Sequence, residues 1–155
     1  MEGDGRYGLR MHSDVAAVHE VTDELIAAMA RLLPQLSPGA AALDAQQLQQ
    51  LIDADATTVL VARTAEGIVG TLTLVLFAVP TGRRARIEDV VVDRSARGQG
   101  VGAALTLEAV RLARAAGART IDLTSRPSRQ AANRLYERLG FNPRESRVYR
   151  YSRQL

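Results

Sequence analysis

The sequence predicts an α/β fold in which antiparallel strands lead into a strand, a glycine-rich turn and a helix. Two apolar, β-branched segments, residues 57–63 and 68–79, are separated by a short turn that contains Gly67. A third apolar run, residues 87–92, is followed by glycines at 98, 100 and 102 and then by apolar residues at helical spacing. With 155 residues and 46% hydrophobic content the chain can bury a core, and we expect residues 1–155 to form a single domain.

The segment ahead of these strands predicts a further strand and a long helix. Residues 7–11 alternate and predict a short first strand. Apolar residues recur at helical spacing over 15–33, which predicts one amphipathic helix. Ser13 or Asp14 would cap this helix, and Pro34 would end it.

The remaining elements are predicted from the same periodicities and from their terminal residues. Ser128 is a candidate N-cap, and Gly117 and Gly140 are candidate helix ends. The expected elements are helices over 44–54, 98–116 and 129–139, a strand over 120–124, and a final pair of strands over 141–144 and 147–151.

The glycine-rich turn has the features of a phosphate-binding loop. It joins a buried strand to a helix, and the unpaired backbone N–H groups at a helix N-terminus can bind a phosphate. A side chain at 98, 100 or 102 would keep a pyrophosphate away from those donors. Arg97, at the rim of the turn, can add a charge-assisted contact. We therefore predict a site for a ligand that carries phosphate.

One interpretation of this loop is a dinucleotide site. Gly98-x-Gly100-x-x-Ala103 satisfies the dinucleotide fingerprint, and Asp122 follows 19 residues after Ala103, near the place of a ribose-binding acid. That fingerprint normally belongs to the first strand–helix unit of a doubly wound sheet, whereas here antiparallel strands precede it. A nucleotide-binding oxidoreductase stays open as one alternative.

The other interpretation rests on a resemblance that covers three elements in order. Arg97-x-x-Gly100-x-Gly102 resembles the element with which the GNAT superfamily of N-acetyltransferases binds the pyrophosphate of acetyl-CoA. Residues 87–92 resemble the central strand of that superfamily, and Leu135-Tyr136-Glu137-Arg138-Leu139-Gly140-Phe141 resembles its last helix and turn. Three elements at suitable separations are more specific than one glycine loop, so we favour this interpretation.

The resemblance implies a fold, a co-substrate and a set of contacts. The fold would be a GNAT α/β domain with a mixed, mostly antiparallel sheet of six or seven strands, a central splayed strand pair and about four flanking helices. The co-substrate would be acetyl-CoA, bound along the central strand and at the glycine turn. The residues expected to contact it are Val90, Val91, Val92, Arg97, Gly98, Gln99, Gly100, Val101, Gly102, Ala103 and Asn133.

Glu88 is the candidate general base for removing a proton from the amine acceptor. Strand alternation would place Glu88 on one face with Val90 and Val92, and Ile87, Asp89 and Val91 on the other. A carboxylate that projects from a mostly apolar strand into a pocket would be desolvated, which favours proton uptake near neutrality. The alternative is a structural ion pair between Glu88 and an arginine such as Arg84 or Arg86.

Tyr136 is the candidate proton donor to the departing thiolate, a role that comes from the resemblance of its helix to the family's last helix. A tyrosine in an amphipathic helix can also be a core residue with a satisfied hydroxyl. One departure affects this segment, because Arg129 stands where the family often has Asn, and Asn133 is not in that register.

Composition excludes several other classes of site. The chain has no Cys, which excludes disulfides and cysteine nucleophiles, and with no Ser or Lys nucleophile arrangement we expect no acyl-enzyme. His12 and His19 have no partners at metal-ligand spacing, so we expect no metal. No run approaches the roughly 20 apolar residues of a membrane span, aromatic residues are sparse, and we expect a cytoplasmic protein that binds neither membrane nor nucleic acid.

The predicted function is transfer of acetyl from acetyl-CoA to a primary amine by direct attack in a ternary complex. All 20 basic side chains are Arg, so the chain has no side-chain amine of its own, and the acceptor would be a small molecule or a peptide. The resemblance also allows a homodimer. A GNAT-fold module that binds acetyl-CoA as a sensor or regulator, without turnover, remains a second alternative.

Overall fold

The computed structural model describes residues 13–153. These residues form two compact units. The first unit runs to Thr124 and the second begins at Ser125. The elements of the first unit are β1 (Asp14–Ala17), α1 (Asp23–Leu36), α2 (Ala45–Asp53), β2 (Thr57–Thr64), β3 (Gly67–Val79), β4 (Gly82–Val92), α3 (Val101–Ala115) and β5 (Thr120–Asp122). The second unit contains α4 (Gln130–Arg138). The expectation of a single domain stays a prediction.

The first unit is built on a mixed sheet of five strands in the order β1-β2-β3-β4-β5. The first four strands pair antiparallel with their neighbours, and β5 pairs parallel with β4, as the prediction of a mixed, mostly antiparallel sheet requires. The expected count of six or seven strands is too high for the part of the chain that the structure describes. The strand expected over 7–11 lies outside the described residues.

The pair of strands expected over 141–144 and 147–151 is not formed. Residues 142–153 are all exposed and have no strand assignment. Alternation of apolar and polar residues is only a local signal, and a strand also needs a paired backbone and a face to bury.

The prediction of one helix from Val15 is also wrong. Residues 14–17 form the edge strand β1, which pairs with residues 60–63 of β2, and the Val18 N–H donates to Val59 O at 2.8 Å. The helix α1 begins only after Thr22, whose Oγ1 accepts from the Leu25 N–H at 3.1 Å. The apolar residues of this segment are compatible with a helix or with a strand. Backbone pairing with β2 makes residues 14–17 a strand.

Of two further helix boundaries, the start of α2 follows its sequence signal, and the end of α1 predicted at Pro34 does not. Asp44 caps α2 with a complete capping box, in which the Asp44 and Gln47 side chains bind each other's backbone N–H groups. Pro34 lies inside α1, which continues to Leu36 rather than ending at Leu33.

Helices cover both faces of the sheet. On one face, α1 and α2 bury an apolar cluster against the strands, formed by Leu25, Ala28, Met29, Leu32, Leu48, Val59, Val61, Ile68 and Val91. On the other face α3 packs so closely that a Cβ at Gly70 would lie 3.1 Å from side-chain atoms of Val101 and Leu105. This packing fixes the start of α3, and therefore the glycine turn before it, relative to the ends of β3 and β4.

Candidate active site

The central strand β4 contains a β-bulge at the position of the predicted catalytic residue. Glu88 lies opposite Thr73 of β3, and Val91 lies opposite Thr71. Two residues of β4, 89–90, therefore oppose a single residue of β3. Asp89 has φ 49°, in the left-handed region that few non-glycine residues adopt. Such bulges bend a strand and change the direction of its side chains, and they are frequent beside active sites.

The bulge reverses the expected alternation along β4. Val91 belongs to the apolar cluster under α1 and α2, and the register places Glu88 on that same face of the sheet. Ile87 and Val92 pair with residues on the α3 face, Leu74 and Gly70. The prediction that Glu88 shares a face with Val92 is therefore wrong, because the inserted residue shifts the period of two by one.

The pairing of β4 with β5 is short. Only residues 84–86 of β4 pair with residues 120–122 of β5. Beyond this point the β5 side of residues 87–92 has no strand partner among the strands of this unit. The backbone that the resemblance assigns to the pantetheine arm, Val90 to Val92, lies in this stretch, where the β5 side of β4 is unpaired.

Glu88 lies at the point where the two strands separate. Its carboxylate forms an ion pair with Arg86, and the guanidinium of Arg86 also donates to Thr124 Oγ1 at 2.6 Å. The side chain of Glu88 is 46% exposed, so the desolvation expected from the sequence is not observed. The structural ion pair that the sequence left open is therefore formed.

The turn after β4 is held in shape by its own side chains. Asp93 Oδ1 accepts from the Ser95 N–H at 3.1 Å and from Ser95 Oγ at 2.9 Å, which caps a short 3₁₀ turn over Arg94–Ala96. The Ser95 backbone N–H is the largest of the interactions that lower the pKa of Asp93, and Arg31 acts in the same direction. Arg97 Nε donates back to Val92 O at 3.1 Å, so this side chain lies against the end of β4.

The glycines give the next segment a conformation that other residues resist. Gly98 and Gly100 have φ of 76° and 85°, and nothing lies within 4 Å of a Cβ built on either one. The space beside both backbones is therefore open. Gly100 is the N-cap of α3 and provides no side-chain cap to the helix.

The first backbone N–H groups of α3 are available to a ligand. The first hydrogen bond of the helix runs from the Ala104 N–H to Gly100 O at 3.0 Å, so the N–H groups of residues 101–103 have no i−4 acceptor inside the helix. Val101 is 1% exposed, so its side chain belongs to the core rather than to the open surface of the turn. Gln99 Oε1 is buried without a hydrogen-bond partner among the described residues. Backbone N–H groups at a helix N-terminus can bind an anion, and the space beside this one is open on the side of Gly98 and Gly100.

The second unit contains the other predicted residues. Tyr136 is buried in α4 and packs edge-to-face with Phe141, with ring centroids 6.0 Å apart. Burial raises the pKa of the Tyr136 hydroxyl, and the charge of Arg129 opposes this shift. Asn133 Nδ2 donates to Arg126 O at 3.1 Å, so its amide holds the turn before α4. The Ser128 side chain does not cap α4, which begins after Arg129 without a side-chain cap.

Two concave regions within residues 13–153 do not include the predicted site residues. One concavity of about 420 Å³ lies beside β1 and α1, where Ala17, Val61 and Ile68 form part of its wall. Another of about 420 Å³ is lined by residues 143–146. Within residues 13–153, no group of His, Asp and Glu side chains is arranged to bind a metal ion, and His12 lies outside this range. No α-helix over the same residues is long and apolar enough to cross a membrane.

Three residues that hold the glycine turn in place were not predicted from the sequence: Asp93, Arg31 and Gln35. Asp93 two residues before Ser95 is a local capping pattern that could have been recognised. Arg31 and Gln35 of α1, which contact Asp93 and Arg94, gave no such signal because they lie about 60 residues away in the chain.

Comparison with known proteins identifies a matching family and several solved structures with a similar fold. The model of the acetyltransferase (GNAT) family matches residues 18–141. A crystal structure of a transcriptional regulator from Bacillus halodurans is 25% identical over 91% of this chain and 100% of its own, with a TM-score of 0.72. An aminoglycoside acetyltransferase from an uncultured soil metagenomic sample, in complex with trehalose, is 21% identical over 92% and 97%, with a TM-score of 0.80.

The aminoglycoside N-acetyltransferase AAC(6')-Iy, in complex with CoA, shares the fold as well. It is 20% identical over 92% of this chain and 96% of its own, with a TM-score of 0.75. No curated protein sequence matches the chain.

Proposed function

Since the chain belongs to the acetyltransferase (GNAT) family, we propose that it transfers acetyl from acetyl-CoA to a primary amine. The observation that carries the proposal is the open glycine turn. Gly98 and Gly100 leave free space beside their backbones, and the unpaired N–H groups at the start of α3 follow directly. A related fold binds CoA, as the complex of AAC(6')-Iy illustrates.

The cofactor contacts proposed from this geometry are divided between two segments. The pyrophosphate would lie against the backbone of residues 98–103, with Arg97 at the rim, and the pantetheine arm would lie along residues 90–92, where the β5 side of β4 has no partner strand. Asn133 is a weaker candidate, because its amide already donates to Arg126 O.

The proposed reaction is a direct displacement. The amine nitrogen attacks the thioester carbonyl, the C–N bond forms, the C–S bond breaks, and CoA leaves as a thiol. Glu88 would take the proton that the amine loses, directly or through a water molecule. Tyr136 would supply the proton that the thiolate gains, a role proposed on its place in the family motif alone. The chain has no Cys, and attack by the amine itself needs no acyl-enzyme.

The acceptor we propose is a small-molecule amine. Two of the similar structures are aminoglycoside acetyltransferases, whose substrates carry several amines. A peptide amine stays an alternative acceptor, and a panel of both kinds of amine is therefore needed.

A sensor that binds acetyl-CoA without turnover is the second candidate. The observation that favours it is the Glu88–Arg86 ion pair, which engages the proposed base. One of the similar structures is described as a transcriptional regulator. Under this alternative the glycine turn would bind CoA, and replacement of Glu88 would change nothing that can be measured in binding.

Turnover by the wild type separates the two candidates, and a Glu88→Gln variant tests the role of Glu88. Thiol release would be measured with acetyl-CoA and an amine panel, and CoA affinity by calorimetry. If Glu88 is the base, kcat falls by about 10²–10⁴-fold while the Kd for CoA stays within about twofold. The matched control is Glu108→Gln, which also removes a carboxylate paired with an arginine, Arg111, but on the surface of α3.

Each outcome is informative. An equal fall in kcat for both variants would show that Glu88 has no special role. Binding of CoA by the wild type without thiol release to any amine would favour the sensor, and absence of CoA binding would refute both candidates.

A further inference from the structure

Helix α1 contacts the segment that leads into the glycine turn through two side chains one helical turn apart. Arg31 and Gln35 lie four residues apart and therefore project from the same face of α1. Gln35 Nε2 donates to the backbone carbonyl of Arg31 at 3.2 Å, which ties the two positions together. Arg31 reaches the start of β3 and the residue after β4, and Gln35 reaches Arg94.

Arg31 binds one acceptor at the start of β3 and another in the residue that follows β4. Its Nε donates to Asp93 Oδ2 at 3.1 Å, and its terminal NH2 group donates to the carbonyl of Ile68 at 2.6 Å. The strand ends are joined at the same point by the Asp93 N–H, which donates to Val69 O at 2.8 Å. The guanidinium therefore bridges the end of β4 to the start of β3.

Asp93 carries this contact into the turn. Asp93 Oδ2 accepts the hydrogen bond from Arg31. Asp93 Oδ1 accepts from Ser95 and so caps the 3₁₀ turn. Gln35 acts on the next residue, because its Oε1 accepts from the Arg94 N–H at 3.0 Å. The segment that precedes Gly98 is thus anchored to α1 by side chains far away in sequence.

We propose that Arg31 is a positioning residue for the cofactor, and that it acts by fixing Asp93 and the turn that presents the glycine backbone to the pyrophosphate. The inference rests on the proposed function, since it assumes that the glycine turn binds CoA. Arg31 itself has no part in the chemistry, so the effect of its loss belongs to cofactor affinity rather than to kcat.

The geometry requires arginine at this position. Two acceptors, one on β3 and one in the residue after β4, are bound by different nitrogens of one planar group, and the single ammonium of a lysine cannot reproduce that fork. The Arg31 side chain is 47% exposed, and exposed ion pairs contribute little to global stability. We therefore expect substitution of Arg31 to change the Kd for CoA strongly and the free energy of unfolding only a little.

The test measures CoA affinity and local order in the full chain. Calorimetric titration with CoA would compare the wild type with Arg31→Met, Arg31→Lys and Gln35→Ala. The matched control is Arg63→Met, because Arg63 also connects the sheet to α1, through an ion pair with Glu24, and has no contact with the turn. Amide hydrogen exchange over residues 94–97 would be measured without any ligand.

We expect Arg31→Met to raise the Kd for CoA about tenfold, Arg31→Lys to raise it less, and kcat at saturating acetyl-CoA to stay within about twofold. Exchange of the Arg94 amide should increase in Arg31→Met and in Gln35→Ala but not in Arg63→Met. If Arg31→Met does not fold, the Arg31→Lys and Gln35→Ala variants decide by the same two measurements.

Two results would overturn the inference. One is a wild-type affinity in Arg31→Met or Arg31→Lys, and the other is an equal loss in Arg63→Met. Both require that the wild type binds CoA, in which case the proposed function stands although the inference fails. A wild type that does not bind CoA would refute the proposed function and remove the basis of the inference with it.

Discussion

Replacement of Gly100 by Ala separates the cost of backbone strain from the exclusion of a ligand. Gly100 has φ 85°, where an L-residue costs about 1–2 kcal/mol, and a Cβ there has no neighbour within 4 Å. The reduced entropy of the unfolded chain returns about 0.4–1 kcal/mol. We therefore expect a net loss of about 1 kcal/mol in the free energy of unfolding, or roughly 2–4 °C in Tm for a chain of this size.

The same methyl group should weaken CoA binding far more than it weakens the fold. Under the proposed function, it would occupy the open space in which a phosphate oxygen would approach the N–H groups of residues 101–103. A hydrogen bond to a charged group contributes about 1.5–3 kcal/mol, so the loss of one such bond raises the Kd for CoA by roughly ten- to a hundredfold.

Gly117→Ala is the control for this experiment. Gly117 lies beyond the other end of α3 with φ 81° and also has nothing within 4 Å of a Cβ, so its substitution carries the same strain without touching the turn. Urea unfolding would give the two stabilities and calorimetry the two affinities. We expect the two variants to have similar free energies of unfolding. Only Gly100→Ala should have a weaker affinity for CoA. An unchanged affinity in Gly100→Ala, or an equal loss in both variants, would refute the assignment of the turn.

Three further predictions concern stability. Gly70→Ala should lower the free energy of unfolding by about 1–3 kcal/mol, measured in urea, because the new Cβ would lie 3.1 Å from Leu105 Cδ1. The Ser95 backbone N–H lowers the pKa of Asp93, so the stability it contributes is present above the unfolded value of about 3.9 and is lost as the pH falls through the folded value. Asp93→Asn should therefore make unfolding less dependent on pH below about pH 4; a slope equal to that of the wild type would contradict this. Burial raises the pKa of Tyr136, so its stabilising effect is present below the unfolded value of about 10 and is lost as the pH rises through the folded value. Tyr136→Phe should flatten the alkaline loss of stability, followed by circular dichroism, and an unchanged alkaline limb would count against a buried hydroxyl.

Several features could be predicted because their causes are local. The capping box at Asp44 and the hairpin at Gly67 depend on residues within three positions of one another, and spacing alone indicates them. The glycines of the turn belong to the same class, because positive φ at Gly98 and Gly100 is a property of single residues. The order of strand, turn and helix followed from these signals, whereas the family was inferred from the resemblance of three segments to known motifs and is shown by the family match.

The orientation of Glu88 could not be predicted, because it depends on the bulge at residues 89–90. A bulge is defined by the register between β3 and β4. The amino-acid sequence of β4 does not specify which of its residues is left without a partner in β3. The ion pair with Arg86 was one of two alternatives, and only the folded strand shows that it forms.

The amino-acid sequence by itself determined the elements whose signals are short-range, including the glycine turn and the capped helix α2. Only the tertiary structure decided that residues 14–17 form a strand on the edge of β2, that Glu88 faces the α1 side of the sheet, and that Arg31 holds Asp93 from 62 residues away. The physical reason is that periodicity reports which residues share a face of one element. Pairing register and side-chain contacts between distant segments are settled only when the sheet and its helices pack together.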